Sequence, residues 1–86
     1  MRLIDVVESL ESISRDGTIY AVGPWSWDSD AVVAREQDDG GIPAVAASQG
    51  MQYFLEVFIA KEVLEDSQLS TRENCDRLIE YATNDA

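Results

Sequence analysis

The sequence predicts a small α+β domain: a three-stranded, mainly antiparallel sheet packed against N- and C-terminal helices. Three observations predict it. Apolar residues recur at helical spacing at both ends of the chain, at Leu3, Val6, Val7, Leu10 and Ile13 and again at Cys75, Leu78, Ile79 and Ala82. Between them stand three short runs rich in β-branched and aromatic residues. Finally, 86 residues, 45% of them hydrophobic, suffice for one core and not for two, so residues 1–86 read as a single domain.

The first helix carries Asp5, Glu8, Glu11 and Ser12 on the side away from its apolar stripe, and Arg15-Asp16-Gly17 ends it. Gly17 is expected in the left-handed conformation that closes a helix. Thr18-Ile19-Tyr20-Ala21-Val22, bounded by Gly23-Pro24, reads as a strand. The connection from Gly23 to Asp30 is made of turn formers and two tryptophans, and Ala31 to Glu36 supplies a second strand. Eight intervening residues still allow the two strands to be antiparallel neighbours. Gln37-Asp38-Asp39-Gly40-Gly41 is loop chemistry. A short helix within Ile42 to Gly50 follows, with Pro43 in its first turn and Gly50 at its exit.

The run from Met51 to Ile59 fits a strand from about Gln52 to Phe58, with Tyr53, Leu55, Val57 and Ile59 on one face and Phe54, Glu56 and Phe58 on the other. A helix apolar nearly all round is the alternative. From Ala60 the composition favours helix, with Val63 and Leu64 facing inward. Ser70 and Glu73 have the spacing of a capping box that opens the last helix, and Asn84-Asp85-Ala86 is expected to fray. The first and last helices would cover one face of the sheet; a two-sided sandwich would need more strands.

Six basic and seventeen acidic side chains give a net charge of −11, spread as −4, −3 and −4 over residues 1–30, 31–60 and 61–86. So negative a surface repels nucleic-acid phosphates and anionic lipid, which argues against direct nucleic-acid or membrane contact. The absence of histidine removes imidazole acid–base chemistry and the Ser-His and Cys-His nucleophilic pairs. Cys75 lies on an apolar stripe beside Asp76 and reads as a buried structural thiol. The acidic residues near the N-terminus do not fit a signal peptide, so the cytoplasm is the expected compartment.

Few residues qualify as a site. Asp28-Ser29-Asp30 begins like a calcium loop, but Val33 and Asp39 stand where that loop needs glycine and glutamate. Asp28 or Asp30 is therefore expected to cap a turn, and Asp38-Asp39 to be a solvated one. Glu56, between Phe54 and Phe58, has the setting of a general acid with a raised pKa; no second group matches it, so it reads as a strand carboxylate facing solvent or a partner. Trp25 and Trp27, one residue apart behind Pro24, form a contact surface or fold back as a lid, with Trp25 expected the more buried. No catalytic residue, metal ligand or cofactor is expected. Trp25, Trp27, Asp28, Asp30 and Glu56 are the candidate interaction residues.

The segments GTIYA (17–21), PW (24–25), DSDAVVA (28–34), YFLEVFIAKEVLED (53–66) and RLIEYATNDA (77–86) resemble a group of small acidic bacterial proteins of unassigned function. In size and charge the chain is similar to immunity and antitoxin proteins. That likeness implies a non-enzymatic module that neutralises or adapts a basic protein partner. Three other readings stay open: an oligomeric accessory protein that pairs through a strand edge or the tryptophan loop, a phosphate mimic that inhibits a DNA-binding enzyme, and a metal-dependent enzyme built on Asp28, Asp30, Asp38, Asp39 or Glu56.

Overall fold

In the computed structural model, residues 1–35 and 42–85 are described. Helix α1 spans Leu3–Glu8 and buries Leu3, Val6 and Val7. The carboxylate of Asp5 accepts the Arg2 backbone N–H at 2.9 Å, which satisfies one donor at the helix start. The helix is shorter than its apolar stripe. Ser9 Oγ donates to the Asp5 carbonyl and Ser12 Oγ to the Ser9 carbonyl, so the chain tightens into a 3-10 turn over Leu10–Ser12. Leu10 stays buried, and Ile13, already extended, still packs on the core.

Gly17 does not take the expected left-handed conformation; a Cβ there would lie 2.8 Å from Val33 Cγ1, so the residue is small for close packing. Strand β1 (Thr18–Val22) is central. It pairs antiparallel with β2 (Ala31–Ala34) on one side and β3 (Met51–Glu56) on the other, giving the order β2-β1-β3. Within the described residues β2 ends at Ala34; Glu36 and the 37–41 loop lie outside them. The N-terminal residues are sewn to the outer edge of β2: the Ala31 N–H donates to Met1 O at 2.7 Å, and the Leu3 N–H to Ser29 O at 2.8 Å. Helix α2 (Ala44–Ala47) has Pro43 as its N-cap, one residue ahead of the first turn expected to hold it, and the chain leaves through Gly50 at φ +69°, as expected.

The alternation expected along the third strand fails at one residue. Ile19 pairs with Leu55 but Tyr20 pairs with Tyr53, so Phe54 is the extra residue of a bulge. Phe54 and Leu55 are consequently both buried in the main core, while Tyr53 is 42% exposed. The strand also stops at Glu56 instead of reaching Phe58. Its partner β1 begins at Thr18, opposite Glu56, and the Val57 N–H closes the ladder on Gly17 O at 3.0 Å. With no strand left to pair, the chain turns into helix α3 (Val57–Val63). Strand and helix thus each claim part of the ambiguous run.

Helix α4 (Thr71–Asp85) opens with both arms of the expected capping box. The Ser70 N–H donates to Glu73 Oε1 and the Glu73 N–H to Ser70 Oγ, each at 3.2 Å. It remains helical through Asp85, where fraying was expected. Helices α1, α3 and α4 bury Ile19, Ala21, Phe54, Leu55, Val57, Cys75 and Leu78 in one core. The other sheet face is covered too, contrary to expectation. Tyr20, Ala46 and Met51 form a second, smaller cluster with Val22, Val32 and Ala34. Alanine-rich α2 lies on that face, so a full second layer is not needed. The Cα radius of gyration is 11.9 Å, against roughly 12 Å for a compact domain of this length. Among the described residues no helix is long and apolar enough to cross a membrane.

Candidate interaction surface

The connection between β1 and β2 is held from within. Ser29 Oγ accepts the Ser26 N–H at 2.9 Å, the Ser29 N–H donates to Ser26 O at 3.1 Å, and Ser26 Oγ donates to the Asp28 carboxylate. Asp28 therefore does take a turn-stabilising place. Trp25 donates its indole N–H to Ala21 O at 3.2 Å and stands edge-on to Phe54, with ring centroids 4.9 Å apart. Two guanidinium groups approach the Trp27 ring, Arg2 at 5.4 Å and Arg72 at 4.8 Å from its centroid. Both tryptophans are half-buried and packed against the core. Asp30 is exposed, and its carbonyl accepts the Val22 N–H.

Four of the candidate residues, Trp25, Trp27, Asp28 and Asp30, thus share one connection, beside the N-terminus and α4. Glu56 does not join them. It pairs with Thr18 at the start of β1, whereas the connection leaves from Val22 at the far end. Half-buried at the end of β3, Glu56 shares a cleft with Arg15, Asp16, Arg35 and Phe58. A second cleft, on the other side of Phe58, is lined by Leu10, Leu64, Glu11, Glu62, Glu65 and Asp66, with Arg15 and Lys61. Sequence reasoning missed this pair of clefts. The sequence pattern places Phe58 in a strand, and the helical phase that turns it outward is visible only once β3 ends at Glu56.

Charge is distributed unevenly in its pairing. Three ion pairs occur among the described residues: Arg2–Asp5 at 3.4 Å, Arg35–Asp16 at 3.8 Å and Arg72–Asp76 at 3.8 Å. Lys61 Nζ donates to Ile13 O at 2.7 Å, tying α3 to the turn after α1. The Arg2 backbone N–H, then its side chain, holds the Asp5 carboxyl below its ordinary value. Burial, reinforced by Asp76, pushes the Cys75 thiol up to about 11, so it is protonated at neutral pH. No group of three or more metal-ligating side chains comes together among the described residues. Fold and surface together define a small α+β domain whose carboxylates outnumber their local counter-charges. Compared with protein-family models, curated proteins and solved structures, the chain matches none.

Proposed function

We propose that this chain is a non-enzymatic, cytoplasmic protein-binding module that acts by contact with a basic protein partner, in the manner of an immunity or antitoxin protein. One observation carries this reading, the surplus of unpaired carboxylates. The three ion pairs among the described residues engage Arg2, Arg35 and Arg72, and exposed carboxylates such as Glu8, Glu62, Glu65 and Glu80 have no ion-pair partner among the described residues. A surface of that kind attracts a positive patch and gives fast association that salt slows. The test is a pull-down from native lysate at low and high salt. A basic protein retained at low salt, with an association rate that falls as salt rises, supports the reading. Recovery of no basic partner, or binding indifferent to salt, overturns it.

A further inference from the structure

Phe58 is an aromatic residue that the fold leaves 36% exposed, at the first turn of a helix whose Val57 and Ala60 are fully buried. It lines both clefts described above, as does Arg15, so they are two halves of one surface that meet along a ridge of Phe58 and Arg15. The larger half has a volume of about 670 Å³. Its apolar elements are Leu10, Leu64 and Phe58.

The charges around that ridge are unbalanced. Lys61, bonded to the Ile13 carbonyl, keeps its charge, and Arg35 is paired with Asp16. Among the described residues that line the clefts, Glu11, Asp16, Glu56, Glu62, Glu65 and Asp66 outnumber Arg15, Arg35 and Lys61. A second copy of the chain would bring the same excess of negative charge, and a nucleic acid a greater one. Apolar surface between carboxylate rims matches long cationic side chains, whose aliphatic stems cover it while their heads stay polar. Arginine also gains from the face of an aromatic ring.

We propose that the two clefts flanking Phe58 form one docking surface for a basic protein segment, whose arginine or lysine stems lie on Phe58 and Leu64 while their charged heads meet Glu56, Glu62, Glu65 and Asp66. This assignment rests on the reading of the chain as a binder of a basic partner and gives that reading a location. Arginine is among the residues enriched at interface hot spots, a part that one seated on Phe58 would take.

The probe is a capped hexapeptide of arginine and leucine, titrated into the isotopically labelled full chain at low salt and followed residue by residue by NMR. Shifts are expected to concentrate at Glu56, Phe58, Glu62, Glu65 and Asp66. Glu62→Gln with Glu65→Gln, and separately Phe58→Ala, should each weaken binding about tenfold, whereas Glu73→Gln with Glu80→Gln on α4 should change it less than about twofold. Shifts centred on the outer face of α4, or equal losses in both charge pairs, overturn this location while leaving the reading of a basic partner intact. No shift anywhere overturns both. A dimer of the free chain that Phe58→Ala dissolves would show that a second copy occupies the ridge, and would also overturn the proposal.

Discussion

Gly17 and Gly50 occupy similar places in the sequence, each after a helical segment, yet they are small for different reasons. At Gly50, φ is +69° and the space around the missing Cβ is open, so an added methyl meets only the backbone penalty, about 1–2 kcal/mol. At Gly17 the backbone is ordinary and the space is taken by Val33 Cγ1, on a side chain stiff at χ1. Gly17→Ala is expected to destabilise the domain by about 1–3 kcal/mol through overpacking, read as a lower urea midpoint with an unchanged slope. Cys75 offers a test in pH. Its thiol ionises near 9.0 when free and near 11 when folded, so the native state holds the proton more tightly. The contribution is complete below about pH 9 and is lost as pH rises from 9 to 11. The stability difference between the parent protein and Cys75→Ala should narrow across that interval, and a constant difference would contradict the assignment.

Among the elements, α4 is the one most fully written in the local sequence. Its capping box, its stripe of Cys75, Leu78, Ile79 and Ala82, and its charged outer face all belong to one segment and need no partner to be recognised. Ser70→Ala, which removes the cap, should cost about 1 kcal/mol in thermal or chemical unfolding. Strand β3 is the opposite case. Its bulge at Phe54 exists because β1 pairs Ile19 with Leu55 and Tyr20 with Tyr53, and its end at Glu56 because β1 begins at Thr18. Neither fact is present in residues 51–59 themselves. Phe54, placed by the bulge edge-on to Trp25, is the side chain whose loss should be felt most. Phe54→Ala is expected to cost about 3–5 kcal/mol and to diminish the near-ultraviolet circular dichroism of Trp25. The candidate residues divide along the same line: Asp28's turn is readable from DSD, whereas the contacts of Arg2 and Arg72 with Trp27 join residues far apart in the chain and have no local signature.

For the whole molecule the governing quantity is the net charge of −11. The three ion pairs are exposed and contribute little, typically well under about 1 kcal/mol each. Repulsion among the many carboxylates should outweigh them. Raising sodium chloride from about 10 mM to about 0.5 M shortens the screening length from roughly 30 Å to a few ångströms and should stabilise the fold. The expected rise in Tm is roughly 4–8 °C for each kcal/mol of repulsion relieved. A fall in Tm with salt would mean that the ion pairs dominate instead. The same excess of charge that strains the isolated domain is what a basic partner would neutralise, so binding and stabilisation should rise together.

By itself the sequence determined the α+β class, the order of the elements, the cap and stripe of the last helix, and an evenly acidic chain without histidine. These depend on periodicity and composition, which act over a few residues at a time. The tertiary structure decided the strand order, the bulge, the second small core under α2, the contacts of Arg2 and Arg72 with Trp27 and the outward turn of Phe58. Each of those depends on which distant residue a backbone group or side chain meets, and such meetings are settled by packing, not by spacing along the chain.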